Sequence, residues 1–286
     1  MTRDTLSNVY IPMTSTKSGT LYDILPDVMG LTVKIVNVYF VGDTESNEDW
    51  VLVDAGLPHE KNTILEAAVR RFGEQARPRA IVLTHGHFDH VGSAVDLAEH
   101  WDVPVYAHPL EIPYLTGEAR YPDPDSEVEG GMVASMSRFF PTRPIDLRPR
   151  VQALPEDGSV PAMPGWRWVP TPGHSPGHVS FFREADRALI VGDAFVTVRQ
   201  DELYQVLTQH QELSGPPRYF TPDWDTARDS VRHLAELEPE TAMTGHGVPM
   251  KGEAMRRDLN ELAANFDRVA RPAYGRSVDN GPDTGS

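Results

Sequence analysis

The sequence predicts an α/β fold made of two similar halves that share one site. Apolar segments typical of strands alternate with amphipathic helical segments, and the second half repeats the element order of the first. Strands in both halves end in histidine or aspartate. Because loops at strand ends converge on one edge of a sheet, the two halves are expected to meet at these polar residues.

The first half begins with two predicted strands, at residues 31–41 and 50–54, which a charged turn joins into a hairpin. Apolar residues at helical spacing predict a helix over 60–72. Residues 1–30 are expected to form an N-terminal extension. The half is completed by a strand at 80–83, a helix at about 92–100 and a strand at 103–106.

Prolines interrupt the pattern between residues 109 and 155, where only a helix-like patch at 131–140 stands out. We interpret this segment as an insertion that covers the entrance of the site. A connecting loop without function is equally consistent with the pattern.

The regular pattern returns in the second half. The domain is therefore expected to cover residues 31–270, and the composition of residues 271–286 is typical of a disordered tail. The predicted elements are strands at 166–169, 179–183, 188–191 and 241–244 and helices at 224–237 and 253–269.

Composition and charge disfavour several classes of function. The 286 residues include 26 Lys and Arg against 42 Asp and Glu, and this net charge of -16 disfavours nucleic acid as a partner. Cysteine is absent, which excludes disulfides and thiolate ligands. No segment approaches the roughly 20 apolar residues of a membrane helix, and residues 1–20 lack the apolar core of a secretory signal. We expect a cytoplasmic protein without a membrane partner.

A histidine-rich motif follows the apolar strand at 80–83. It places His85, His87, Asp89 and His90 within six positions. Residues two apart on an extended segment point the same way, so His85 and His87 can reach one metal ion. Asp89 and His90 lie on the turn beyond and can face a second ion. The motif therefore predicts a metal site rather than an ordinary polar loop.

Three later loops supply further candidate ligands. They are His174 in the segment TPGHSPGH, Asp193 after ALIVGD and His246 in TGHG. Each follows an apolar strand-like run, and glycine and proline restrict the loop conformations. All ligands are nitrogen or oxygen, a set that suits Zn²⁺ and would also accept Fe²⁺ or Mn²⁺. We expect zinc.

The order of these residues resembles the metallo-β-lactamase superfamily, from residue 31 to about 247. The signature His-x-His-x-Asp-His is present, and the later His, Asp and His follow in the same order. The resemblance implies a four-layer αββα sandwich with the site between two β-sheets. It also implies two divalent metal ions bridged by Asp193. One would be held by His85, His87 and His174, and the other by Asp89, His90 and His246.

The resemblance assigns supporting roles to two more residues. Asp54 looks like the acid that orients the histidine loop from behind the ligands, with a turn or helix-capping aspartate as the alternative. His178 matches a second histidine of the TPGHSPGH loop, and an ordinary packed histidine is the alternative. Tyr204, His210 and Tyr219 lie between the bridging aspartate and the last ligand, where superfamily members place substrate contacts. Core packing is the alternative for both tyrosines.

The chemistry that this ligand set suggests is hydrolysis. Two ions about 3.5–4 Å apart can hold a bridging water as hydroxide near neutral pH. Asp89 is expected to act in catalysis by orienting that nucleophile and passing on its proton. The expected substrate is a small molecule with an ester-like carbonyl.

The resemblance leaves the substrate and some alternatives open. The ligand set is similar to those of glyoxalase II thioesterases and quorum-quenching lactonases, with a slight preference for a lactone, and phosphotriester hydrolysis uses the same metals. A mononuclear iron oxygenase of the persulfide dioxygenase type would leave Asp89, His90 and His246 without metal, so the complete set argues against it. A noncatalytic protein predicts loss of ligands, and none is lost. The resemblance leaves a homodimer open, since dimers are common among such relatives, although no helix in the sequence marks an interface.

Overall fold

The computed structural model describes residues 14–43, 45, 48–130, 132–137, 140, 144–199 and 203–279. Within these residues, two β-sheets pack face to face and helices cover both outer faces. This arrangement is the four-layer αββα sandwich expected from the sequence. The predicted fold class is therefore confirmed.

The first sheet contains seven described strands, in the order in which they follow along the chain. The strands are β1 (Leu21–Leu25), β2 (Val28–Val33), β3 (Val36–Gly42), β4 (Trp50–Val53), β5 (Ala80–Val82), β6 (Val105–Ala107) and β7 (Val151–Ala153). The first four pair antiparallel, and β4 to β7 pair parallel. The helices of this half are α1 (Lys61–Phe72), α2 (Phe88–Val91), α3 (Ala94–Trp101), α4 (Ile112–Leu115) and α5 (Met132–Met136).

The second sheet has the order β12-β11-β10-β9-β8 among the described strands. The strands are β8 (Trp166–Pro170), β9 (Val179–Arg183), β10 (Ala188–Gly192), β11 (Thr241–Thr244) and β12 (Met250–Lys251). Only β10 and β11 are parallel to each other. The helices are α6 (Leu203–Thr208), α7 (Trp224–Glu236), α8 (Gly252–Val269) and α9 (Arg276–Asp279), with a 3-10 turn at Arg218–Phe220.

Three apolar layers hold the sandwich together. Between the sheets, β-branched and aromatic side chains from facing strands are buried against each other, as Val53 and Phe181 illustrate. Outside the first sheet, Trp50 stacks on Phe72 of α1 with ring centroids 4.5 Å apart. Helices α7 and α8 cover the second sheet. Central strands are thus buried on both faces, which explains their continuous apolar sequences.

Two boundaries predicted at the N-terminal side are wrong. The segment 31–41 is not one strand, because Lys34 adopts the left-handed region with φ 58° and turns the chain between β2 and β3. The domain also begins before residue 31, since β1 and β2 pair within the first sheet. Polar and turn-forming residues around Pro26 interrupt the apolar alternation of this hairpin. Residues 1–13 of the predicted extension lie outside the described residues.

The prediction of a disordered tail from residue 271 is wrong for its first part. The Arg276 backbone N–H donates to Asp125 at 2.6 Å, and the Trp224 indole N–H donates to the Ser277 hydroxyl at 3.2 Å. These contacts join segments distant in the chain, so local composition does not show them. Residues 280–286 lie outside the described residues. Among the described helices, none is both long and apolar enough to cross a membrane.

Candidate metal centre

The seven candidate ligands lie together at strand ends, between the two sheets. His85 and His87 follow β5, and α2 carries Asp89 and His90. The other three follow strands of the second sheet: His174 comes after β8, Asp193 after β10 and His246 after β11. All seven side chains are buried, and the most exposed residue, Asp89, is 8% exposed. The fold therefore brings every predicted ligand into one water-poor cluster.

The ligand atoms form two triads. In the first triad, ring nitrogens of His85, His87 and His174 lie within 4.8 Å of one another. In the second triad, atoms of Asp89, His90 and His246 meet the same limit.

The carboxylate of Asp193 lies between the two triads. Its Oδ1 is 3.5 Å from His90 Nε2, and its Oδ2 is 3.5 Å from His174 Nε2 and 3.2 Å from His246 Nε2. Oδ1 thus lies close to a histidine of the second triad and Oδ2 close to a histidine of each triad, and a carboxylate oxygen of Asp193 also lies within 4.8 Å of ring nitrogens of His85 and His90. This is the position that a bridging carboxylate requires.

Several atoms of the cluster have no protein partner that would explain their burial. His85 Nε2, His90 Nε2 and Asp193 Oδ1 are buried without a hydrogen bond among the described residues. His87 Nδ1 and His174 Nε2 lie 2.9 Å apart. A buried polar atom left unpaired costs about 1–3 kcal/mol. The donor atoms are nitrogen and oxygen at the spacing of a coordination sphere, so the residues present fit two divalent ions.

The ring nitrogens that point away from the cluster are held by protein groups. His246 Nδ1 donates to the Ile35 carbonyl at 2.9 Å, and His90 Nδ1 is 2.8 Å from Asp54 Oδ2. Threonine hydroxyls lie 3.0 Å from His85 Nδ1 and 3.1 Å from His174 Nδ1. Such contacts fix ring orientation and tautomer, which leaves Nε2 as the ligand atom in these four rings.

Asp54 and His178 stand behind the ligands. Asp54 accepts hydrogen bonds from the Thr84 backbone N–H at 2.8 Å and from its hydroxyl, in addition to its contact with His90. His178 Nε2 accepts the backbone N–H of Asp193 at 2.9 Å, and its Nδ1 is 2.8 Å from the Thr171 hydroxyl. Asp54 therefore orients a ligand side chain, whereas His178 orients the backbone that carries the candidate bridge.

The two triads differ in electrostatics. Burial lowers the pKa of His85 and His174, and it lowers the pKa of His87 to about 4. In the second triad burial acts in the same direction, but the neighbouring carboxylates together outweigh it. Asp193 and Asp54 raise the pKa of His90, and Asp193 and Asp89 raise that of His246 to about 10. The first triad is thus neutral at pH 7, as metal ligation requires. In the second triad a cation would replace protons.

An aromatic cavity of about 70 Å³ opens beside the first triad. His87 and His174 form part of its lining, and the segment predicted as an insertion contributes several side chains. The aromatic residues around it are Tyr114, Tyr121, Tyr219 and Phe220, and the charged residues are Asp123, Asp125 and Arg276. Tyr121 and Tyr114 stack with ring centroids 4.0 Å apart. The cavity is a candidate substrate pocket.

The structure brings one of the three predicted pocket residues to this cavity. Tyr219 is buried and lines it. Tyr204 on α6 is 74% exposed, and His210 is also exposed; neither lines this cavity, and a substrate contact by either residue stays a prediction. Position between two ligands along the chain does not determine which side chains turn inward.

Other residues of the site were not predicted from the sequence. Glu111 binds both loops of the first triad, and Asn37 binds the loop of His246. The cavity lining also includes Arg276 and Ser277 from the segment predicted to be disordered. The sequence around Glu111 is typical of a helix start, and the sequence around Asn37 is typical of a buried strand. The only sequence signal for a role in the site was therefore a polar residue at a buried position.

Comparisons with known proteins agree with this arrangement. The model of the metallo-β-lactamase superfamily matches residues 31–246. The chain is 51% identical to the probable metallo-hydrolase YflN of Bacillus subtilis (strain 168) over 264 residues, which cover 92% of this chain and 100% of that protein. It is 24% identical to the hydroxyacylglutathione hydrolase GloC of Haemophilus influenzae over 170 residues, covering 58% of this chain and 70% of that protein.

A solved structure with the same fold is the β-lactamase domain protein from Burkholderia ambifaria. The TM-score is 0.58 at 22% identity, and the match covers 87% of this chain and 74% of that one. At this identity the likeness concerns the fold alone.

Proposed function

Because the chain belongs to the metallo-β-lactamase superfamily, we propose that it is a hydrolase that uses two divalent ions, with zinc the first candidate, to cleave an ester-like bond. The observation that carries this proposal is the pair of triads with the Asp193 carboxylate between them. A single-ion oxygenase has no use for the second triad, whose side chains are all present and buried.

Ions held by the two triads would supply Lewis acidity and would lower the pKa of water from about 15.7 toward roughly 7. The Asp89 carboxylate, whose pKa His246 lowers against the effect of burial, is ionised at neutral pH and can accept the proton of the attacking water. In the hydrolysis, the water oxygen forms the new bond to the acyl carbon and the bond to the leaving oxygen or sulfur breaks. The proton held at Asp89 passes to the leaving group.

The cavity favours a neutral, apolar acyl group. Its walls are largely aromatic. The cationic side chain in its described lining, Arg276, lies 3.6 Å from the Asp125 carboxylate, so its charge is already paired. A glutathione thioester would bring carboxylates to a rim that already contains Asp123 and Asp125. A lactone or ester with an apolar acyl chain fits this lining better, so we favour that substrate class.

A rate comparison tests the proposal. The zinc-loaded protein is assayed with lactones of increasing acyl length beside S-lactoylglutathione, and kcat/KM is expected to be higher for the lactones. Tyr114→Ala, which removes one aromatic wall, should lower kcat/KM for the longer lactones. Tyr204→Ala is the matched control, because it removes an aromatic ring outside the cavity. A preference for the glutathione thioester would refute the lactone assignment, and binding of a single metal equivalent would refute the two-ion site.

A further inference from the structure

Glu111 is a buried carboxylate that belongs to neither triad. It precedes α4 and is 0% exposed. Its Oε2 accepts the Gly86 backbone N–H at 2.8 Å and also binds the Tyr121 hydroxyl. Its Oε1 accepts the Ser175 hydroxyl at 2.8 Å and the Gly177 backbone N–H at 2.7 Å. Burial of a carboxylate is costly, and these donors compensate for the lost hydration.

Three of these four donors, all except Tyr121, belong to the two loops that supply the first triad. Gly86 lies between the ligands His85 and His87. Ser175 directly follows the third ligand, His174, and Gly177 lies two residues further along the same loop. A single carboxylate therefore ties both loops together, directly behind the ligands.

The glycines in these loops give independent evidence for the close approach. A Cβ atom on Gly86 would lie 2.6 Å from the Tyr121 hydroxyl oxygen, and one on Gly177 would lie 2.9 Å from Glu111 Cγ. Both distances are shorter than ordinary contacts between carbon and a heavy atom. The backbone at these positions thus has room for Glu111 and its hydroxyl partner only because no side chain is present.

The second triad is supported by other residues. The Asn37 amide donates to the carbonyls of Thr244 and Gly247, at 2.9 and 2.6 Å, on either side of His246. Asp54 orients His90. Among the described residues, the side chain of Glu111 binds the loops of the first triad and the Tyr121 hydroxyl, and it makes no hydrogen bond to Asn37 or Asp54. Glu111 and Asn37 therefore support different triads, whereas Asp54 contacts His90 directly and His85 only through the Thr84 hydroxyl.

We propose that Glu111 is a positioning residue for the first triad, which holds the loop of His85 and His87 and the loop of His174 at the separation that one ion requires. This inference rests on the proposed two-ion function. Outer partners of metal ligands typically contribute about 10- to 100-fold to metal affinity. Loss of Glu111 should therefore weaken one ion site by that factor and spare the other.

The test measures zinc affinity at each triad separately, by competition with a chromophoric chelator. His246→Ala leaves the first triad intact, and His87→Ala leaves the second intact. Glu111→Gln keeps the size of the side chain but turns an amide NH₂ toward backbone N–H donors. In the His246→Ala background it should raise the zinc dissociation constant about 10- to 100-fold. In the His87→Ala background the change should stay within about twofold.

Asn37→Asp is the reciprocal control, because it turns a carboxylate oxygen toward the carbonyls beside His246, and it should weaken only the second triad. Ser175→Ala removes one donor to Glu111 without introducing a clash, and serves if Glu111→Gln does not fold by circular dichroism. It should also weaken only the first triad. With Co²⁺ in place of zinc, Glu111→Gln should alter the visible absorption of the His246→Ala background alone.

The outcomes separate this inference from the function on which it rests. The positioning role is overturned if Glu111→Gln and Ser175→Ala weaken the two triads equally, or weaken neither triad, while the wild type binds two ions. The proposed function then stands. If the wild type binds fewer than two ions, the proposed function is refuted and the inference is refuted with it.

Discussion

Replacement of Asp54 by asparagine should weaken the second triad without changing its ligands. One carboxylate oxygen, Oδ2, lies 2.8 Å from His90 Nδ1, and the other accepts the Thr84 backbone N–H at 2.8 Å. Asparagine has nearly the same size and tolerates the left-handed backbone of this position, φ 60°. However, its amide has one acceptor oxygen. Either the Thr84 N–H or the His90 Nδ1–H must then face an NH₂ group.

The structure sets the size of the effect. The lost contact is a buried hydrogen bond to a charged group, which contributes about 1.5–3 kcal/mol. A change of about 1.4 kcal/mol alters an equilibrium constant tenfold. We therefore expect the dissociation constant of the second-triad ion to rise about 10- to 100-fold. Asp54 contacts no ligand of the first triad directly and reaches it only through Thr84, whose hydroxyl lies 3.0 Å from His85 Nδ1, so the first triad should be weakened less than the second.

Zinc competition in the His87→Ala background, which leaves the second triad intact, measures this effect. The matched control is Asp23→Asn, which removes the charge of a carboxylate that is 83% exposed in its side chain and pairs with Arg71 at the surface. Such surface pairs contribute only about 0–1 kcal/mol to the free energy of unfolding. Asp23→Asn should therefore leave zinc affinity unchanged. If Asp54→Asn binds the second-triad ion as tightly as its parent does, Asp54 does not orient His90 for ligation.

Three further predictions concern pH and packing. In the metal-free protein the pKa of His87, about 4, lies below that of an unfolded histidine, so the free energy of unfolding should fall as pH falls from about 6.5 toward 4. Urea unfolding across that range checks it, and a flat profile would contradict it. Because the pKa of His246 is about 10, zinc must displace a proton, and affinity should rise with pH toward that value. Calorimetry of zinc binding in buffers of different ionisation enthalpy should detect the released proton. If no proton is released, His246 is not protonated in the metal-free protein. Trp50→Ala should cost about 3–5 kcal/mol in urea unfolding, since the ring is fully buried against Phe72; a cost typical of a surface change would contradict the packing.

Much of the fold follows from local pattern. Strands β9 and β11 have the bounds that apolar periodicity predicts, and α7 differs from its prediction by one residue. These elements are buried on at least one face along their length, so the apolar signal is continuous. The hairpin of β1 and β2 was missed because it contains polar and turn-forming residues that interrupt that signal.

By itself the sequence determined the chemistry of the site. Histidine and aspartate side chains follow strand after strand, and residue type alone limits them to nitrogen and oxygen ligands for a divalent ion. Their grouping into two triads was inferred from resemblance, and their separation in space comes from the packing of the two sheets.

Only the tertiary structure decided how those ligands are held and what borders them. Glu111 lies 25 residues from Gly86 and 66 from Gly177, and Arg276 lies 151 residues from Asp125. Local periodicity reports which face of a strand or helix is buried, and it carries no information about partners at such separations. A hydrogen bond requires a donor and an acceptor within about 3 Å in a suitable direction, and that condition is met only after the two sheets have packed together.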